Sequence, residues 1–241
     1  RNVKFGYGEN LVIDDLSFKL DEGKKYALVG SSGSGKSTIA KLISGFYKLN
    51  SGKVYIGNHS LEEYKEEFLA ANIANVFQDA KLFKATIYEN VKIGKPDATH
   101  DEVMDAMRLA QCDDIIAKFE DRENTMIGSK GVHLSGGEVQ RITIARAILK
   151  DAKIIILDEA SAAADPENEY ELQKALFNLM KDKTVIMIAH RLSSIKNVDE
   201  ILVIDNGKII ERGSHNALMQ KDSYYKSLQN KYAEANEWRV K

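Results

Sequence analysis

The sequence predicts an α/β fold: a mostly parallel sheet with helices between its strands, preceded by an antiparallel β region and interrupted by a helical lobe. Three observations predict it. Short, largely apolar runs recur at residues 26–29, 153–157, 184–189 and 201–204, the pattern of strands buried on both faces, and helical patterns separate several of them. Ahead of the first run, residues 3–20 look like a pair of antiparallel strands, with apolar and polar side chains alternating over residues 16–20. Between residues 79 and 150 the apolar positions fall instead at helical spacing.

Taken in order, residues 3–20 read as two antiparallel strands, with Leu16, Phe18 and Leu20 alternating against Ser17 and Lys19. Tyr26-Ala27-Leu28-Val29 is a buried strand ended by Gly30, and a helix is expected from about Lys36 to Ser44. In the helical lobe, Val103, Ala106, Met107 and Ala110 share one helix face, and Val139, Ile142, Ala145, Ile148 and Leu149 share another. The only prolines are Pro96 and Pro166, and no Gly/Ser-rich linker divides the chain, so one folding unit with lobes is expected over residues 1–241.

Composition removes several classes of function. With 44% apolar residues the chain can bury a core. Its 34 Lys and Arg nearly balance 36 Asp and Glu, and no basic run interleaves with aromatics, which speaks against DNA or RNA as a partner. Cys112 stands alone, so no internal disulfide forms, and the five histidines lack zinc-ligand spacing. No stretch approaches the about 18 apolar residues of a membrane span, which predicts no direct insertion into a bilayer. The sequence opens on Arg1 with strand-like residues already at Val3-Lys4-Phe5, which suggests a domain cut from a longer chain.

The strongest chemical signal is Gly30-Ser31-Ser32-Gly33-Ser34-Gly35-Lys36-Ser37-Thr38. It satisfies the pattern G-x-x-x-x-G-K-[ST] and lies between a predicted strand and a predicted helix. Glycines let the backbone wrap with its N–H groups inward, and the helix start adds partial positive charge. Lys36 then reaches the β- and γ-phosphates, and Ser37 can hold Mg²⁺. The spacing points to a nucleoside triphosphate and a P-loop NTPase core; the bland alternative is a glycine-rich turn.

The run Ile154-Ile155-Ile156-Leu157 delivers Asp158 and Glu159 at the end of a strand, where open α/β sheets bind ligands. Asp158 would orient Mg²⁺ or its water shell, and Glu159 would polarise an attacking water. Alternatively the pair is an acidic helix cap. Further on, Leu134-Ser135-Gly136-Gly137-Glu138 precedes an amphipathic helix, so Ser135 and two glycine N–H groups crowd a second helix start suited to phosphate. One triphosphate needs one phosphate loop, which implies that this start serves a nucleotide held by another protomer. The competing reading is a serine cap after a glycine turn.

Those letters resemble the signature of the ATP-binding cassette (ABC) family, and the remaining motifs follow in that family's order over essentially the whole chain. The resemblance implies ATP and Mg²⁺ as ligands. It assigns Tyr7 to stacking on adenine, Gln78 to contact with Mg²⁺ or the attacking water, Asp165 to the loop after the catalytic carboxylate, and His190 to sensing the γ-phosphate. Alone, Tyr7 reads as a core strand residue and His190 as a packed histidine at a strand end.

Gln78-Asp79-Ala80-Lys81-Leu82-Phe83, Thr86-Ile87, Glu89-Asn90 and Ile188-Ala189-His190-Arg191-Leu192 are similar to the exporter branch. That branch implies an ATPase domain on the cytoplasmic face of a membrane, partnered by the transmembrane domain of the same transporter. It also implies a second nucleotide-binding domain, paired head to tail, whose closure drives export.

Three positions depart from the family pattern. Glu138 stands where glutamine is usual, a change expected to alter hydrogen bonding more than phosphate affinity. Ser129 stands where exporters often carry a glutamate facing the membrane domain, and Ser161-Ala162-Ala163-Ala164 lacks the serine and leucine common before Asp165. A soluble ABC ATPase of translation or DNA maintenance is the main rival, yet the long coiled-coil insertion or paired cassettes of such proteins are not seen. A nucleotide switch that does not hydrolyse is opposed by Glu159 and His190.

Overall fold

The computed structural model describes residues 1–77, 81–128, 131–158, 166–189, 195 and 197–239. They divide into two compact units, Arg1–Ala70 with Thr184–Lys241, and Ala71–Lys183.

The first unit opens with strands β1 (Val3–Tyr7) and β2 (Asn10–Leu16), paired antiparallel with Val3 opposite Leu16, Phe5 opposite Ile13 and Tyr7 opposite Asn10. Val3, Phe5, Ile13 and Leu16 are buried, which is what holds the hairpin to the unit. The expected strand up to Leu20 stops at Leu16. Its last partner is Val3, Asp15 already sits at φ 55°, and Ser17 Oγ instead accepts the Asn2 N–H at 2.7 Å. Phe18 and Leu20 are half-buried between exposed neighbours, so the alternation recorded burial without pairing.

Strand β3 (Lys25–Val29) follows, with Tyr26 to Val29 almost completely buried, and then helix α1 (Lys36–Ile43), which buries Ile39, Ala40 and Leu42. A two-residue hairpin joins β4 (Tyr55–Ile56) to β5 (His59–Ser60), and α2 (Glu66–Asn72) leads into the second unit.

There the chain forms β6 (Ile73–Val76), α3 (Ile87–Lys92), α4 (His100–Leu109), α5 (Asp113–Ala117), α6 (Gly136–Lys150), β7 (Ile154–Asp158) and α7 (Pro166–Met180). β6 and β7 are parallel, with Ile73 beside Ile154 and Val76 beside Leu157. Helix α6 is central: α3, α4 and α7 pack on it, and Ile142, Ile144 and Ala145 are fully enclosed. Among the described residues, three α-helix starts share one local device. Thr86, Thr99 and Ser135 each cap a first turn whose third residue, Glu89, Glu102 or Glu138, returns a carboxylate to the cap N–H.

The chain then returns to the first unit as β8 (Thr184–Ile188), β9 (Glu200–Asp205), β10 (Lys208–Gly213), α8 (His215–Met219) and α9 (Tyr224–Arg239). β3 lies between β8 and β9, parallel to both, and β10 joins β9 antiparallel. The connecting Asn206-Gly207 turn has φ 46° and 71°, as a tight hairpin requires. Ala27, Val29, Ile201, Val203, Leu218 and Tyr225 meet in one apolar cluster. The expected α/β class, with mostly parallel pairing and an antiparallel pair at the start, is thus observed. Among the described residues no helix is long and apolar enough to cross a membrane.

Candidate functional site

In the first unit the chain between β3 and α1 folds around one ammonium group. Lys36 Nζ donates to Gly30 O at 2.9 Å, Ser31 O at 2.6 Å and Ser34 Oγ at 3.2 Å, and Lys36 and Ser34 are buried while Ser31, Ser32 and Gly33 face solvent. The glycines are forced by this path. A Cβ on Gly30 would lie 2.0 Å from Ile204 O, and Gly35, at φ 104°, caps α1 in a conformation other residues resist. Ser34 O accepts Gly207 N–H at 2.9 Å, which fastens the loop to the β9–β10 turn. The result sets a lysine ammonium beside a helix N-terminus, an arrangement whose charge suits phosphate oxygens. Ser37, half-buried in the first turn of α1, supplies the hydroxyl that suits a hard cation such as Mg²⁺. Thr38 is buried.

Tyr7, at the end of β1, does not take the core position of its alternative reading as a strand residue. It is 45% exposed, its ring meets Phe5 and Tyr47 edge-on at 5.0 and 5.5 Å, and its hydroxyl lies 3.4 Å from Thr38 Oγ1. An exposed aromatic braced by two others, next to the phosphate loop's helix, is suited to stacking on a base.

In the second unit Ser135 caps α6. Its Oγ accepts the Glu138 N–H at 3.3 Å, and its own N–H donates to Glu138 Oε2 at 2.7 Å. The serine-cap reading is therefore realised. The helix's own ladder begins with Val139 N–H to Ser135 O, after the amides of Gly136 and Gly137. A Cβ on Gly136 would meet nothing within 4 Å. Burial raises the Glu138 carboxyl, but hydrogen bonds from Lys118 and Ser135 outweigh this and hold it below the ordinary carboxylate range. Asp158 ends β7 half-buried, a carboxylate of the kind that binds Mg²⁺. Gln78, Glu159, Asp165 and His190, together with Ser129 and residues 161–164, lie outside the described residues.

Sequence reasoning passed over the polar framework behind α6. Arg141 is 1% exposed and grips Asp114 through two bonds of 2.7 and 3.0 Å, also donating to Gln111 O and to Asn168 Oδ1. Asn90 is fully buried. Its Oδ1 accepts Phe83 N–H at 2.8 Å and Arg146 at 3.2 Å, and its Nδ2 donates to Phe83 O and Thr86 O. The capping boxes could have been found from Thr86-x-x-Glu89, Thr99-x-x-Glu102 and Ser135-x-x-Glu138 alone. Arg141 and Asn90 carry no such local mark.

Comparison with known proteins places this geometry among relatives. The family model described as ABC transporter matches residues 13–162. An ATP-dependent lipid A-core flippase of Pectobacterium atrosepticum is 46% identical over 231 residues, covering 95% of this chain and 40% of that protein. ABC transporter B family member 4 of Dictyostelium discoideum is 46% identical over 232 residues, covering 95% of this chain and 30% of its own length. A solved structure, a bacterial Atm1-family ABC exporter with ATP bound, is similar with a TM-score of 0.89 at 38% identity, over 96% of this chain and 41% of that one. The chain thus spans only 30–40% of these two curated relatives.

Proposed function

This chain belongs to the ABC transporter family, and from that membership we propose that it is the ATP-binding and ATP-hydrolysing domain of an exporter. In this reading it pairs head to tail with a second nucleotide-binding domain, identical or homologous, with ATP at the interface. It works on the cytoplasmic face of a membrane and drives a transmembrane domain of the same transporter. The observation that carries the reading is the phosphate loop itself, with Lys36 enclosed by loop oxygens at the start of α1.

The residues fit the ligands they are assigned. Gly30, Ser31, Ser32, Gly33, Ser34, Gly35, Lys36 and Thr38 bind the triphosphate, with Lys36 exchanging loop carbonyls for phosphate oxygens. Tyr7 stacks on adenine. Ser37 and Asp158, with Gln78, hold Mg²⁺, which neutralises phosphate charge when bound. Glu159 orients and polarises the attacking water, and His190 and Asp165 complete the surroundings of the γ-phosphate. Ser135, Gly136 and Gly137 of one protomer address the nucleotide of the other. Catalysis is then positioning and charge stabilisation.

Mixing two defective chains tests this arrangement. Lys36→Ala disables the loop and spares the α6 start. Gly136→Asp adds a carboxylate where Cβ has open space in the chain, so it should fold and repel only an approaching phosphate. In a Glu159→Gln background, expected to keep ATP binding and lower turnover at least ~10²-fold, each alone should fail to pair with ATP. Their mixture forms dimers with one undamaged site and should co-purify through different tags. Pairing of the parent Glu159→Gln chain with ATP, but no gain on mixing, would overturn the shared-site reading.

A further inference from the structure

We propose that Lys118 is a positioning residue for the shared ATP site: its ammonium neutralises Glu138, so that the Ser135-Gly136-Gly137 helix start meets the partner's nucleotide without net negative charge. The inference rests on the reading that this start addresses a γ-phosphate.

Glu138 is the exception that needs explaining. An anion-binding helix start offers amide donors and partial positive charge, and here a carboxylate sits within it, 2.7 Å from Ser135 N. That carboxylate is enclosed: the side chain is 9% exposed, so solvent screens it weakly. A bare carboxylate there would repel a triphosphate brought to this helix start. Lys118, just after α5, reaches across 20 residues of sequence and donates from Nζ to Glu138 Oε1 at 2.6 Å.

The neighbouring charges leave Lys118 to this task. Asp114, one turn earlier and electrostatically coupled to Lys118, is held by the two bonds from Arg141. The cluster is therefore two matched pairs, Arg141 with Asp114 and Lys118 with Glu138, and its formal charge is zero. Glu138 keeps its cap bond and the helix keeps its geometry, while the charge that would oppose phosphate is cancelled. Lys118 itself is 53% exposed, so its contribution to folding alone is small.

The scheme makes predictions for four variants of the 241-residue chain. The readouts are the ATP concentration for half-maximal pairing in the Glu159→Gln background, and KM and kcat with Glu159 intact. Lys118→Met exposes the carboxylate and should raise half-saturating ATP and KM about 3- to 10-fold, with kcat changed less than about twofold. Glu138→Gln retains an acceptor for Ser135 N–H and leaves Lys118 uncompensated, so half-saturating ATP should fall or stay at the parent value. Lys118→Met with Glu138→Gln should return within about twofold of the parent. Lys118→Arg should match the parent throughout. Rescue separates charge compensation from a structural role, because a structural lysine would not be replaced by changing its partner.

Equal ATP dependence of Lys118→Met and the parent, or a double variant as weak as Lys118→Met, overturns the proposal. If Lys118→Met does not fold, Glu138→Gln decides alone, and a rise in half-saturating ATP overturns it. Failure of the parent chain to bind ATP or pair would instead overturn the functional reading beneath it.

Discussion

Replacing Arg141 by methionine should lower folding stability by about 2–3 kcal/mol, and the structure supplies the steps of that number. Removing one partner of a buried ion pair costs about 3–5 kcal/mol, because the remaining charge is left unpaired in a poor solvent. Here the remaining charge is Asp114, whose side chain is 53% exposed, so water recovers much of what Arg141 gave it. Two further acceptors, Gln111 O and Asn168 Oδ1, also lose a charged donor. Against this, Arg141 Nε is buried without an acceptor among the described residues, and methionine relieves that desolvation while refilling the stem's volume. The balance falls below the cost of a fully buried pair and above that of a surface one. For a chain of this size it corresponds to a fall in Tm of about 4–12 °C.

Urea unfolding should show the midpoint moving with m unchanged. Combining Arg141→Met with Asp114→Asn should give a coupling of about 1–2 kcal/mol. A loss below about 0.5 kcal/mol, or coupling near zero, would show that the enclosed guanidinium is tolerated rather than structural.

Tyr7→Ala should weaken ATP and GTP alike by about 1–3 kcal/mol and Tyr7→Trp should preserve both, measured by equilibrium titration, since an aromatic face is read without base-specific hydrogen bonds; parent-like affinity in both variants would place the base elsewhere. Cys112 is buried and its thiol is pushed up to about 12 by that burial, so a thiol reagent at pH 8 should label it only at the rate at which the surrounding helices open, and at once in urea. Glu102, bonded to Lys95 and to the Thr99 amide, is held at about 2 against an ordinary 4.5. Because its folded value is depressed, the stability it lends is complete above pH 4.5 and disappears as pH falls to about 2. Glu102→Gln should flatten the acid dependence of stability in that window, and an unchanged acid limb would contradict the assignment.

What the sequence determined by itself were features set by backbone conformation and period. The phosphate loop is legible because the glycines are required locally: Gly35 must take φ 104°, and Gly30 must pass where no Cβ fits. The buried strands at Tyr26–Val29 and Ile154–Leu157 are legible because apolar runs have few other fates in water. The capping serine and its glutamate lie three residues apart, within reach of pattern reading.

Tertiary structure decided whatever depends on a partner distant in sequence. Tyr7, which taken alone reads as a core strand residue, ends β1 45% exposed beside Phe5 and Tyr47. Phe18 and Leu20 kept the alternation of a strand but lacked partners beyond Val3, since a ladder needs a second chain segment and not only a period. Arg141 occupies a helix interior where a charged residue reads as surface, and acceptors distant in sequence, Asp114 and Asn168 27 residues away and Gln111 O 30 residues away, make its burial tolerable. Lys118 meets Glu138 across 20 residues for the same reason. Local sequence fixes conformations whose alternatives are sterically or hydrophobically costly, whereas the pairing of buried charges is chosen only when packing brings distant segments within hydrogen-bonding distance.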